Sequence, residues 1–283
     1  MIIPPAIDRF LFERIPAKSF QWMRIAWAAL TLGTFLSQWP DVAWFYSKES
    51  FLLITPDIFS LALFPRFSLL HFITDPQLVF ALYIVLLLSL FAVLLGIRTR
   101  GALILCMLLL HSFHHRNPIL MGGGDVLLYN IGFLLMVTSL LEGTSPSKTI
   151  PIWPYRLLLW QIILIYLSSL WWKLLGTSWL DGTAITITFL NPDFARFSLP
   201  KELIRALSPL FCYLTMIFEL LWIFLLIPNF KYHKELKRVL IIAGIFFHLG
   251  ILLFLKVGSF SLAMLVAYIG LWGCRDAPTR LDH

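Results

Sequence analysis

Charge is what this sequence has least of. Asp, Glu, Lys and Arg make up 13% of its 283 residues and hydrophobic residues 59%, against ~25% charged residues in an average soluble domain. A soluble core of this length has no use for so much apolar surface. The composition therefore predicts an all-α, multi-pass integral membrane protein, a single domain over residues 1–283. Cysteine is nearly absent as well. Cys106, Cys212 and Cys274 lie in apolar runs without CxxC spacing, which excludes a disulfide framework or a cysteine-rich metal site and leaves three small buried hydrophobes. No P-loop, GxSxG, strand-borne GxGxxG or CxxCH occurs, so nucleotide-cradling, nucleophile-elbow and haem-attachment chemistries have no anchor here. The first apolar run meets Trp39-Pro40-Asp41 with no small-residue cleavage site, so no cleavable signal peptide is expected. The net charge of +7 reads as basic residues on cytoplasmic loops and not as a nucleic-acid footprint.

Long apolar runs fill the space that charge leaves. About 20 apolar residues cross a bilayer core as helix, and Pro, Gly and charged residues punctuate the chain into eight such runs. They cover approximately 20–39, 78–97, 102–115, 125–141, 153–175, 204–227, 236–257 and 259–272. Residues 1–18 form a basic amphipathic lead at the interface. Residues 40–76, broken by Pro40, Pro56, Pro65 and Pro76, suit short interfacial or re-entrant helices. With eight spans, 14 of the 22 Lys and Arg residues fall on the side of the termini and eight on the other. The positive-inside rule then puts both termini in the cytoplasm and Lys173 on the opposite side.

Ionisable residues at membrane depth are costly, which makes each a functional candidate. Lys173 ends the run QIILIYLSSLWWK, and Tyr166, Ser169 and Lys173 recur at i, i+3, i+7 as a polar stripe. Lys173 reads either as a snorkelling lysine among Trp171, Trp172 and Trp179 or as a partly dehydrated amine able to act as a base. Asp125, after Gly122-Gly123-Gly124, caps a helix or faces a ligand across a close-approaching backbone. Glu219 lies deep in CYLTMIFELLWIF and must be paired or protonated. His248 in FFHLGILLF is an interior hydrogen-bonder or part of a site. These four groups are expected to converge, with Asp125 the favoured partner of Lys173 because both belong to the outer half. His111-Ser112-Phe113-His114-His115 has the i, i+4 spacing of a metal pair. The remaining histidines are scattered, so the trio reads as polar side chains at a helix C-terminus and no metal is expected. No inverted pair of interrupted helices supports a transporter.

HHRNPILMGGGD, LWWKLLGTSWLDG, FELLWIFLLIPN and FFHLGILLFLKVGSFSLAML follow one another in the order found in the horizontally transferred transmembrane (HTTM) family, which this chain resembles over residues 19–272. Its best-known members are the vitamin K-dependent gamma-glutamyl carboxylases. The resemblance implies that Lys173, in Trp172-Lys173-Leu174, is the base that deprotonates reduced vitamin K or another quinol. His248, ahead of Gly258-Ser259-Phe260, matches the family's later membrane histidine. Asp125 joins them as a catalytic candidate, and Trp171, Trp172, Asn117 and Glu219 as substrate or cofactor contacts. Where this chain has Gly123-Gly124-Asp125 the carboxylases have an asparagine–histidine pair. They also carry a large lumenal region that grips a protein substrate, for which this chain is expected to need a partner. A second relative of the family matures a sporulation-delaying toxin, which implies the alternative of a non-enzymatic maturation protein for a small peptide. Membrane lipids are the surrounding partner under either reading.

Overall fold

The computed structural model describes residues 5–50, 67–141, 149–227 and 231–272. The chain divides into two compact units, residues 20–147 and residues 1–19 with 148–283.

In the 20–147 unit, α2 (Lys18–Ser37), which starts just before it, is followed by the short α3 (Val42–Tyr46), then α4 (Pro76–Leu95), α5 (Thr99–Arg116) and α6 (Gly123–Leu141). α4 packs on α5, α5 on α6 and α3 on α4. The ends of α4 follow from its sequence. Asp75 accepts from the Gln77 and Leu78 N–H groups at 3.0 and 3.3 Å, and Pro76 occupies the first turn, where no N–H is needed. Gly96 closes the helix at φ 77° with its N–H on Ala92 and Val93 carbonyls. The Arg24 guanidinium donates to the Val93 carbonyl at the same end, where a cation also meets the negative end of the helix dipole. Trp27 of α2 is fully buried and donates to the Leu128 carbonyl of α6 at 2.7 Å. Gly132 makes this approach possible, because a Cβ there would overlap Trp27 and Met107.

The other unit holds α1 (Pro5–Phe12) and a two-stranded antiparallel pair, β1 (Arg14–Pro16) with β2 (Thr149–Pro151). The Arg14 side chain donates to the Thr149 carbonyl at 2.8 Å and so reinforces the pair. α7 (Trp153–Leu175), α8 (Thr177–Leu180), α9 (Ala184–Leu190), α10 (Lys201–Leu221), α11 (His233–Phe254) and α12 (Phe260–Trp272) follow, with a 3-10 extension of α10 over Trp222–Leu226. α7 packs on both α10 and α12, α9 on α10 and α11 on α12. Pro209 interrupts the ladder of α10, where Gly182, at φ 79°, lies so close that a Cβ would come 2.9 Å from Pro209 Cα. Gly244 likewise makes room on α11 for the Tyr268 ring of α12.

All eight expected runs are helical, but among the described residues five helices are long and apolar enough to cross a membrane: α4, α6, α7, α10 with its extension, and α11. They make this an integral membrane protein, and a count of eight spans is not supported. α12 has 13 residues, about 20 Å at 1.5 Å per residue, short of the ~30 Å hydrocarbon core. α2 carries Lys18 and Arg24, and α5 ends in two histidines and Arg116. The expected short helices of 40–76 appear as a 3-10 turn at Trp39–Asp41, α3, and a 3-10 turn at Leu69–His71. Pro56 and Pro65, and the loop 142–148, lie outside the described residues. Cys106 and Cys212 are buried, reduced thiols, and Cys274 also lies outside the described residues.

The close approaches at glycine give a first test. Gly132→Ala and Gly244→Ala should each destabilise the protein by about 1–3 kcal/mol, the usual cost of overpacking. Gly33→Ala, where nothing lies within 4 Å of the added carbon, should be neutral or stabilise by roughly 0.5–1 kcal/mol. Thermal unfolding of the three variants in detergent measures the contrast.

Candidate functional site: a lysine–serine–glutamate cluster

α7 starts at Trp153-Pro154 and ends at Gly176, and its helical period puts Tyr166, Ser169 and Lys173 on one face. α10 turns Glu219 toward that face. Lys173 Nζ donates to Glu219 Oε1 at 2.7 Å and to Ser169 Oγ at 2.6 Å, and Ser169 Oγ donates to the same carboxylate oxygen at 3.0 Å. The side chains of Lys173 and Glu219 are 14% and 3% exposed. Trp179, on α8, covers the ammonium with its ring centroid 4.8 Å from Nζ, a cation–π contact. One hydrogen-bonding capacity is unused, because Glu219 Oε2 is buried with no hydrogen-bond partner among the described residues. The cluster therefore holds a positive charge, a hydroxyl and one open acceptor in an apolar bundle. Close by, the Thr183 N–H and hydroxyl both donate to Asp181, holding its carboxyl below the ordinary aspartate range.

One turn back along α7, Tyr166 heads a second, uncharged cluster. Its hydroxyl is hydrogen-bonded to Tyr268 and, at 3.0 Å, to His248 Nε2. His248 Nδ1 meets Ser261 Oγ at 3.3 Å, so both ring nitrogens are satisfied. Trp222 stacks on Tyr166 and on Tyr268 with centroids 5.2 and 6.0 Å apart. His248 is thus an interior hydrogen-bonder joining α11 to α7 and α12.

The expected convergence is met in part. Lys173 is paired with an acid, but with Glu219 and not with the favoured Asp125. Asp125 belongs to the 20–147 unit, where its carboxylate reaches back to the Gly122 N–H at 2.8 Å. This is the reciprocal half of a capping box. Asn117 is buried in that unit, its Nδ2 donating to the Phe45 carbonyl at 3.0 Å, while Arg116 donates to the Tyr46 and Ser47 carbonyls. Both residues fasten the end of α3. Trp171 and Trp172 are 62% and 72% exposed, turned away from the lysine that follows them. His111 and His115 stack ring on ring at 3.9 Å, and among the described residues no three His, Cys, Asp or Glu side chains are grouped for a metal. The sequence put Ser169 on the polar stripe without giving it a site role, and it gave no signal for Tyr268, Ser261 or Trp222. For Ser169 a signal existed, since it precedes Lys173 by four residues.

Comparison with known proteins finds a partial similarity. The sporulation-delaying protein SdpB of Bacillus subtilis (strain 168) is 25% identical over 174 residues, covering 54% of this chain and 52% of that protein. The chain spans about half the length of this curated relative. No family model matches, and no solved structure matches.

The buried ion pair gives a second test. Removing one partner of such a pair costs about 3–5 kcal/mol, whereas replacing both by apolar residues is often neutral. Lys173→Met should therefore destabilise strongly, and the double variant Lys173→Met with Glu219→Leu should recover most of the loss. Unfolding of the single and double variants in one detergent checks the expected non-additivity.

Proposed function

We propose that this chain is a multi-pass membrane protein that takes part in maturing a small partner peptide, with Lys173, Ser169 and Glu219 as its polar contact. The observation that carries this reading is the incomplete satisfaction of the cluster. A buried carboxylate oxygen without a partner is costly in an apolar bundle, and a peptide N–H is the kind of donor that would complete it. The similarity to a sporulation-delaying protein, in a family resemblance that includes a toxin-maturation protein, points the same way.

The carboxylase-like reading, with Lys173 as base toward reduced vitamin K, rests on resemblance. The residues here fit a quinol poorly. Lys173 directs its hydrogen bonds to Ser169 and Glu219, and an amine so paired would have to pass its proton to Glu219 before it could accept another. Trp171 and Trp172, the rings that would flank a quinol, project away from it. For topology we retain eight membrane-crossing segments, the less apolar α2 and α5 and the short α12 among them. Both termini are then cytoplasmic and Lys173 lies near the opposite face, from the 14-to-8 division of basic residues.

Mass spectrometry of secreted peptides tests the function in the source organism. Without this protein, a secreted peptide should accumulate in its immature form, and wild type should restore the mature mass. Lys173→Arg should also restore it, since arginine keeps the charge and the hydrogen bonds to the carboxylate, while Glu219→Gln should not. An unchanged set of secreted peptides would overturn the maturation reading. A mass gain of one CO2 on a glutamate that depends on Lys173 and fails with Lys173→Arg would favour the carboxylase instead, because guanidinium stays protonated. Membrane-impermeant labelling of single cysteines at positions 48 and 234 should mark only the first, which checks the orientation.

A further inference from the structure

The 20–147 unit contains a small cavity that the maturation reading does not use. It measures about 10 Å³ and is lined by Thr31 and Thr34 of α2, His114 of α5, and Asp125 and Tyr129 of α6, with Phe35, Leu110 and Leu128 completing its walls. That is about the room that one water needs. Two lining atoms are buried without a hydrogen-bond partner among the described residues, Thr31 Oγ1 and His114 Nδ1. Thr31 is 4% exposed. A threonine inside a helix commonly returns its hydroxyl to the carbonyl four residues back, and Thr34 does so, donating to Leu30 at 3.0 Å. Thr31 makes no such bond. Thr31 lines the cavity together with His114, whose Nδ1 is equally without a partner among the described residues.

We propose that this cavity is a binding site for a single water molecule that joins Thr31, His114 and Asp125. The water accepts from the Thr31 hydroxyl and donates to His114 Nδ1 and to the Asp125 carboxylate, with the His114 proton on Nε2. Three hydrogen bonds are the usual complement of a buried water, and a cavity of this size with several polar groups in its wall has room for one. Both orphaned atoms are thereby satisfied. Asp125, which also accepts from the Gly122 N–H at the head of α6, becomes linked to a histidine inside the unit. His111 and Tyr129 form a direct pair alongside, with Nδ1 3.0 Å from the hydroxyl. His114 of the His111–His115 motif and the acid Asp125, on helices α5 and α6, thus share one hydrogen-bonded site whose ligand is a small neutral molecule.

The test turns on the sign of one isosteric substitution in the purified full-length protein. If Thr31 Oγ1 has no partner, Thr31→Val removes a buried unsatisfied hydroxyl and stabilises the protein. If it holds a water, the same change leaves that water short of a partner and destabilises. We expect Thr31→Val to lower the melting temperature by about 2–4 °C, the shift that a tenfold-scale change in stability brings to a chain of this size, and Thr31→Ser to fall less. The nitrogen resonance of His114 Nδ1, at the hydrogen-bonded position in wild type, should move toward the unbonded position in Thr31→Val. A Thr31→Val variant as stable as wild type or more so, or an unbonded Nδ1 in wild type, overturns the proposal. Stabilisation of wild type by sodium chloride over choline chloride, lost in Thr31→Val, overturns it in favour of a bound cation.

Discussion

A hydrogen-bonding group inside an apolar helical bundle has only side chains, backbone and trapped water to satisfy it. The arrangement of both units follows from that constraint. Apolar surfaces alone would let the helices slide and rotate against one another at little cost, because lipid and leucine are equally apolar neighbours. Polar groups remove this freedom. The Trp27 indole reaches the Leu128 carbonyl, Ser68 Oγ donates to the Ser112 carbonyl at 2.6 Å, and Lys237 donates to the Tyr155 hydroxyl at 2.8 Å. Each bond ties two distant segments in one register.

α7 concentrates this effect in the unit formed by residues 1–19 and 148–283. Its single polar face is divided between two neighbours in succession. Tyr166 turns to α11 and α12 through His248 and Tyr268, and Ser169 and Lys173 turn to α10 through Glu219. The first cluster is uncharged and fully hydrogen-bonded, which suits a structural role. In the second, a charge pair shares one carboxylate oxygen and leaves the other without a partner. A buried ion pair is weak evidence for stability, since desolvation offsets most of the attraction. The open acceptor beside it is the feature on which the proposed peptide contact rests.

The same constraint gives the histidine-rich end of α5 its character. Arg116 and Asn117 hold the backbone of α3, His111 holds Tyr129, and His114 lines a water-sized cavity. His111 and His115, whose i, i+4 spacing would suit a metal pair, bring their tilted rings to 3.9 Å between centroids.

The sequence by itself determined where the helices run and which of their faces are polar. The run at 153–175 is helix over Trp153–Leu175, and the run at 204–227 is α10 with its extension to Leu226. Helix formation and termination depend on neighbours within a turn or two, so apolar runs, Pro and Gly are enough to place them. The stripe of Tyr166, Ser169 and Lys173 was legible for the same reason. How many runs are long and apolar enough to cross a membrane by themselves was less legible, because the helical pattern continues through α5 and α12, which are more polar or shorter than the five. Only the tertiary structure decided which acid Lys173 meets. Depth along a helix favours Asp125, but it carries no information on which helices are neighbours or how each is rotated. Rotation places Glu219 on the inner face of α10, and the same geometry sends Trp171 and Trp172 outward while Lys173 turns in, since successive residues diverge by about 100° around a helix of 3.6 residues per turn.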